Sequence, residues 1–561
     1  GPRWRGGPGQ ALRRRGGAMD CCDARGIADE ADCGIVAFAA AGLRPLGGTI
    51  KASPEDFRVR ELPQQPAAVA YPGQQGSFLK FTLHKRGVDT LEALDSLAQA
   101  CRVPARSFGF AGIKDSLAIT TQEVTVSPEL VSEAALLEAA GTLPQLRALG
   151  LRPCDAPLSP GMLAGNRFLL RVRGVRASAR RVRQALRSLR RRGFVNYVGM
   201  QRFGKAGVRS DLLGLAYLRG EYERCVDLLL HQGAGGCRNE AGAGGREFKW
   251  VETFRRTGSA AATLRTMPHF GLWTERRLLT ALHRRREDDG GTCRRSVGDA
   301  AAAVAAPRQA PWCDVARDAF LSLPRTIRAL YAHAYIDRLW NFGATERLLG
   351  HDGDGAVAGD LLQKRTERTA RPTAEASVFV PEASGGRPAV ASLFDVVLPR
   401  PGADVVFPEN STGRLMRAYL DFDGLDPSAL CVHAKGDTGK LLRGVHRHVV
   451  VRPLRLRWSV EWPASGRQRG ERTLVLDFCL DPGQYATMAM REIMRQRAGA
   501  ARRRAPRHVV FSEDSDDASS LAGCSSVGAR RSRAGAADSS GKGVGGRKRA
   551  RQPCAYREEK K

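Results

Sequence analysis

Residues 77–83, SFLKFTL, alternate: Leu79, Phe81 and Leu83 fall on one side and Lys80 and Thr82 on the other. That is the period of a half-buried strand. The period then lengthens. In DTLEALDSLAQACRV, Leu91, Leu94, Ala98 and Cys101 recur at helical spacing behind Asp89 or Thr90 as cap. QEVTV reads as a strand again, so AGIKDSLAITTQ (111–122) occupies the loop just before one. Further on, GNRFLLRVRGV puts Phe168, Leu170 and Val172 on one strand face and Arg167, Leu169, Arg171 and Arg173 on the other. The helix ARRVRQALRSLRRRG follows, with Val182, Ala185, Leu186 and Leu189 as its apolar stripe and Gly193 as its C-cap. Its Arg face is either solvated or tracks a nucleic-acid backbone.

From about 205 to 415 the texture changes: helical stretches such as PRTIRALYAHAYIDRLWNFGATERLL alternate with Gly- and Ala-rich loops. Strand patterns return in PLRLRWSVEW, where Leu454, Leu456, Trp458, Val460 and Trp462 alternate, and in RTLVLDFCL; QYATMAMREIMRQR is a final helix. The pattern predicts an α+β chain: a discontinuous domain made of residues 33–204 and 416–498, with a largely helical domain, 205–415, inserted into it. The flanks, 1–32 and 499–561, lack apolar periodicity and are expected to be disordered. The Arg-rich first residues suit a transit peptide or translated leader; Met19 is a plausible start, and the leader is the reading we favour.

Charge narrows the class of partner. A formal charge of +31 points to a polyanion, nucleic acid before membrane, although an Arg-, Ala- and Gly-rich composition can also reflect genome base composition. Only about 13 of the 89 basic residues are Lys, so a Lys beside a carboxylate stands out. The thirteen Cys include no CxxC pair or Cys/His box, which argues against a zinc site or a disulfide framework and fits a reducing compartment. The apolar run CGIVAFAAAGL is too short to span a bilayer, and no membrane association is expected.

The most suggestive local chemistry is GIKD. Taken alone, Asp115 reads as a turn aspartate capping backbone amides. No GxxxxGK[ST] loop is present, and no second carboxylate or His stands at ligand spacing, so neither phosphate-loop nor metal chemistry is expected.

Five motifs in order change that reading: KASPEDFRV, FAGIKDSLAITTQ, GNRF, GFVNYVGMQRFG and QYATMAMRE, spread over residues 51–492. Together they resemble the TruD family of pseudouridine synthases, and their spacing resembles its eukaryotic members. The resemblance implies a catalytic domain built on a mixed, mainly antiparallel sheet, with an inserted helical TRUD domain and RNA in the cleft between them. It implies isomerisation of uridine to pseudouridine in tRNA, and in mRNA as a further class, with no cofactor and no metal. By the same resemblance Asp115 is the catalytic carboxylate, acting at C1′ as nucleophile or assisting a glycal route. Lys51 and Lys114 are the candidate cations beside it, and Phe168 is the ring that stacks on the flipped base. Phe57 is a second ring and Asn166 an active-site amide; read alone, both rings are ordinary core residues. Asn196, Gln201 and Arg202 of NYVGMQRFG are expected to support the cleft. Arg491, one helical turn from Thr487, is expected to bind substrate or pair with Asp115, with a surface salt bridge as the alternative.

The sequence departs from the family pattern at Ser116, where a basic residue is common, at Val198, and at Ala334 and Ile336 in AYIDRLWN. These changes lie around Asp115 and leave it in place. A catalytically silent RNA-binding or chaperone protein on the same scaffold is the alternative function, and DNA binding rests on charge alone. The chain is expected to be a monomer. RKRAR (547–551) suggests nuclear import, with cytoplasm or an organelle as other compartments and an RNA-contacting tail as the other use of those residues.

Overall fold

The alternating segments become strands whose buried residues share one face of a sheet. The computed structural model describes residues 29–64, 77–204, 209–231, 249–268, 272–288, 311–351, 353, 355–363, 377–378, 391–432, 440–461 and 472–495. Its first half runs β1 (Phe57–Pro63), β2 (Phe78–Arg86), α1 (Thr90–Ala100), β3 (Gly109–Phe110), β4 (Ile119–Val126), α2 (Glu133–Gly141), β5 (Leu146–Cys154), β6 (Leu163–Val175), α3 (Ala179–Arg192) and β7 (Phe194–Val195). Helices follow: α4 (Ser210–Leu218), α5 (Tyr222–His231), α6 (Lys249–Thr257), α7 (Ala260–Thr266), α8 (Trp273–Asp288), α9 (Trp312–Leu321) and α10 (Arg325–Leu349). Then come β8 (Leu361–Leu362), β9 (Ser377–Val378), β10 (Val396–Arg400), α11 (Ser411–Phe422), β11 (Cys431–Val432), β12 (Lys440–Leu441), β13 (Val445–His448) and β14 (Val450–Val451). β15 (Leu454–Glu461), β16 (Arg472–Leu480) and α12 (Ala486–Met494) complete it.

The main sheet has the order β15–β16–β6–β1–β4–β2–β5, with β3 added to β4. β1 and β4 are parallel over three registered pairs, Arg58↔Ile119 to Arg60↔Thr121; the other pairings are antiparallel. Beyond Arg60 the two strands part, and β3 takes the place beside β4 at Thr125 and Val124. Leu79, Phe81 and Leu83 face inward as their alternation requires. They pack with α1, α2 and Val124 in one core. Phe57, Phe168, Leu170 and Phe478 share another core with α3 and α12.

The helix ends follow their signals. Asp89 accepts from the Leu91 amide, Ser178 from the Arg181 amide, and Gly193 closes α3 at φ +69°. One expected face is corrected. Leu91 is 42% exposed, and α1 instead buries Ala93, Leu94, Leu97 and Ala98. At about 100° per residue Leu91 lies roughly 120° from Leu97, outside a stripe centred on Leu94 and Leu97. The clean alternation of 454–460 also misleads: β15 is an edge strand with a register shift between Leu454 and Arg457, and Leu454 and Trp458 stay exposed. Trp462 lies outside the described residues.

The chain leaves the sheet domain after β7 and returns at β14, which pairs with β7 at Val450↔Val195 and Val451↔Phe194. Between them a helical core gathers residues of α4–α10. It also holds Met416 and Leu420 of α11, with Leu425, Leu430 and Leu442, whereas Leu393, Val396 and Leu398 pack in the first core, so the two cores alternate along this part of the chain. At the N-terminus, Asp29–Asp32 form an ordered turn within the segment expected to be disordered. Residues 1–28 and 496–561, with the basic cluster at 547–551, lie outside the described residues.

Candidate active site

The segment 111–118 runs from β3 to the start of β4, beside the place where β1 and β4 separate. Buried hydrogen bonds fix its path. Thr90, first residue of α1, accepts from the Lys114 amide (2.9 Å) and donates to Gln122 Oε1 (2.9 Å); Gln122 Nε2 donates to the Gly112 carbonyl (3.0 Å). Lys85, 0% exposed, donates to the carbonyls of Val88 (2.7 Å), Asp115 (3.0 Å) and Lys114 (3.4 Å). A buried ammonium needs such partners, because its desolvation is otherwise costly. Sequence reading missed Lys85, yet the signal was present. Continued by two residues, the alternation of Leu79, Phe81 and Leu83 puts Lys85 on the buried face.

Asp115 is thereby held with its carboxylate in a ring of donors. Oδ1 accepts from the Leu117 amide (2.9 Å), Oδ2 accepts from Gln201 Nε2 (2.6 Å), and Lys51 Nζ forms an ion pair with Oδ2. Burial by itself pushes the carboxyl pKa up. The hydrogen bond and charge of Lys51, with the Leu117 amide and Gln201, outweigh it and hold Asp115 below the usual carboxylate range. Lys51 adopts a left-handed backbone (φ +58°), a conformation that costs a residue with a side chain and that clusters at functional sites. Its Nζ also sits 4.4 Å from the Phe57 ring centroid, a cation–π contact.

Phe57 in turn meets Phe168 edge-on, with centroids 6.1 Å apart at 71°, and Phe168 stacks on Phe478 at 5.6 Å. Phe168 is 7% exposed, so the expected stacking platform is mostly packed between two rings. Asn166 stands opposite Glu61 in the β1–β6 register. Its Oδ1 is buried with no hydrogen-bond partner among the described residues.

Three expectations need correction. Lys114 does not serve as a counter-ion of Asp115: its ammonium is buried in an ion pair with Glu61, so it braces the loop against β1. Arg491 does not reach Asp115. It binds Glu30 and the carbonyls of Ala37, Ile35 and Val36, and lies over Phe38, tying α12 to the N-terminal segment. Gln201, expected only as cleft support, contacts the carboxylate directly. The other two of that group are structural. Asn196 donates to the His448 carbonyl (3.0 Å) and accepts from Arg447 (2.7 Å). Arg202 pairs with buried Asp337 (2.7 Å), which Arg400 also meets (2.6 Å). Among the described residues no three His, Cys, Asp or Glu side chains are placed to hold a metal ion.

Known proteins resemble this chain over most of its described length. The family model for tRNA pseudouridine synthase D (TruD) matches residues 34–493. A mouse protein, pseudouridylate synthase 7 homolog, is 28% identical over 482 residues; the match covers 82% of this chain and 63% of that relative, less than two thirds of its length. A tRNA pseudouridine synthase D from Geobacter metallireducens is 31% identical over 461 residues, covering 82% of this chain and 97% of the relative. The crystal structure of a TruD protein from Methanosarcina mazei superposes with a TM-score of 0.52 at 21% identity, covering 83% of this chain and 97% of that one, a likeness of fold.

Proposed function

Because the chain belongs to the TruD family, we propose that it is an RNA pseudouridine synthase that isomerises uridine in tRNA, with mRNA as a second substrate class. The observation that carries this reading is a carboxylate, Asp115, kept ionised in a partly buried site by Lys51.

In this reading the glycosidic N1–C1′ bond breaks, the uracil turns, and C5 bonds to C1′. C5 then gives up its proton and N1 gains one, so the product is an isomer and no co-reactant is consumed. An ionised Asp115 serves either as nucleophile at C1′ or as base in a glycal route. Both demand a carboxylate that is charged but poorly hydrated, which is what Lys51, Gln201 and the Leu117 amide maintain around it. The target nucleotide must leave its stack to reach the loop. Asn166 Oδ1 offers the detached base a hydrogen-bond acceptor, and the Phe57–Phe168 pair an apolar wall. We further propose a monomer, directed to the nucleus by RKRAR (547–551).

The test is to treat unmodified tRNA transcripts and total RNA with wild type and with Asp115→Asn, then map pseudouridine by carbodiimide labelling. Wild type is expected to label specific uridines and the variant none. Equal labelling on every RNA overturns the proposal and leaves a silent RNA-binding scaffold.

A further inference from the structure

The helices of the sheet domain cover the face that carries Phe57, Phe81, Phe168 and Phe478; on the opposite face Arg58, Arg60 and Arg147 are exposed, while Cys479 and Thr125 are buried. One row of laterally registered residues crosses six strands on that opposite face: Cys479, Arg167, Arg60, Thr121, His84 and Arg147. Arg58 stands two residues along β1 from Arg60 on the same face. At about 4.8 Å per strand, Arg60 and Arg147 are roughly 14 Å apart, and Arg167 extends the row to about 19 Å.

The charges on this face divide into two groups. Arg167 is neutralised by a two-bond contact to Asp477 and Arg171 by Glu461; Lys80 and Arg152 share Glu123. Arg58, Arg60 and Arg147 are exposed and have no acidic partner among the described residues. Arg60 faces Arg167 across β1 and β6, and a solvated sheet face ordinarily interleaves signs. The field is felt locally. The His84 pKa is lowered by burial and by Arg147 and Arg58.

We infer that Arg60 and Arg147 of this registered row, with Arg58 beside it on the same sheet face, form a second RNA contact that grips the phosphate backbone of the substrate away from the target uridine. Phosphate is the complement of unpaired guanidinium groups, whose planar forks match its oxygens. The row holds no Phe, Tyr or Trp, so it lacks a stacking platform and suits backbone contact rather than base reading. The face lies opposite the one on which Lys51 and Phe57 meet Asp115, so it adds affinity and orientation without touching the reacting atoms. The inference rests on the proposed activity only in taking RNA as the polyanion.

The experiment compares the full chain with two triple variants, Arg58→Gln/Arg60→Gln/Arg147→Gln and Arg58→Lys/Arg60→Lys/Arg147→Lys. Binding to an unmodified tRNA transcript is followed by fluorescence anisotropy over a KCl series, with pseudouridine yield measured at saturating RNA. Each lost phosphate contact lowers the slope of log K against log[salt] by about 0.7–0.9. The Gln variant is expected to lose about two units of slope and bind roughly 10- to 100-fold more weakly at low salt, with unchanged yield at saturation. The Lys variant, with charge kept, is expected to retain the slope. A Gln variant that folds with wild-type melting and keeps wild-type slope and affinity overturns the inference. So does a Gln variant whose affinity falls with the slope unchanged, or a Lys variant as impaired as the Gln one, since either traces the loss to the fold. A wild type that binds tRNA with a steep, Arg-dependent slope yet makes no pseudouridine sinks the proposed activity and leaves this contact standing.

Discussion

In the proposed reaction Asp115 must be ionised, and Lys51 is the group that favours that form. Because the folded pKa of Asp115 is depressed, its ionised form persists as pH falls below the usual carboxylate range. Lys51→Met leaves burial unopposed by that charge, so the acid limb of the pH–rate profile is expected to move upward by about 1–3 pH units. Lys51→Arg, which keeps the charge, should recover most of the shift; an acid limb unmoved in Lys51→Met would show that Lys51 does not set the ionisation. Gln201→Ala removes a neutral donor from the same oxygen and should move the limb less. GIKD drew attention to Asp115 from the sequence, but its partners stand 64 and 86 residues away, and no local pattern links them. Lys114, adjacent in sequence, is the wrong cation because its side chain turns to Glu61.

At the level of elements, Gln201 is held in place by its neighbours. Arg202 is anchored on Asp337 of α10, and Arg400 of β10 binds the other carboxylate oxygen. Asp337 is buried between two guanidinium groups. Burial alone raises its pKa, but Arg400 and Arg202 outweigh that and leave it lowered. Its stabilising contribution is therefore present above the unfolded carboxylate pKa and lost as pH falls through the depressed folded value. Asp337→Asn leaves two buried cations underpaired and is expected to cost about 3–5 kcal/mol, read as a lower Tm at neutral pH. The variant's Tm should also fall less steeply than that of wild type between pH 5 and strongly acidic conditions, roughly where carboxylates titrate. A Tm equal to wild type at neutral pH would refute this anchoring. The caps of α1 and α3 were legible because capping is local chemistry. The target of Arg491 was not: helical spacing fixes the face of α12 it occupies, but not what that face meets.

Across the whole molecule, α10 belongs to both cores: Tyr331, Ala332 and Leu339 pack with the inserted helices, and Trp340 and Ala344 with the sheet domain. A helix shared in this way should make the two parts unfold together, as one calorimetric transition with equal van't Hoff and calorimetric enthalpies. Gly214 of α4 tests the coupling. A Cβ there would fall 2.0 Å from the Tyr331 carbonyl oxygen, a backbone atom that cannot turn aside. Gly214→Ala is expected to push α4 off α10 and cost about 1–3 kcal/mol, lowering Tm in a single transition. Two separated transitions in the wild type would show that α10 does not bind the parts into one unit.

By itself the sequence determined the periods: which residues of β2, β6 and α3 turn inward, and that strands and helices mix in an α+β chain. Its five ordered motifs also carried the family, because they sample the whole length of the fold. Only the tertiary structure decided the strand order, the alternation of residues 393–451 between the two cores, and the partners of Asp115, Lys114, Arg491 and Gln201. The physical reason is range. Alternation, caps and turns are energies between residues a few positions apart, whereas an ion pair or a shared core forms between residues that chain topology alone brings together.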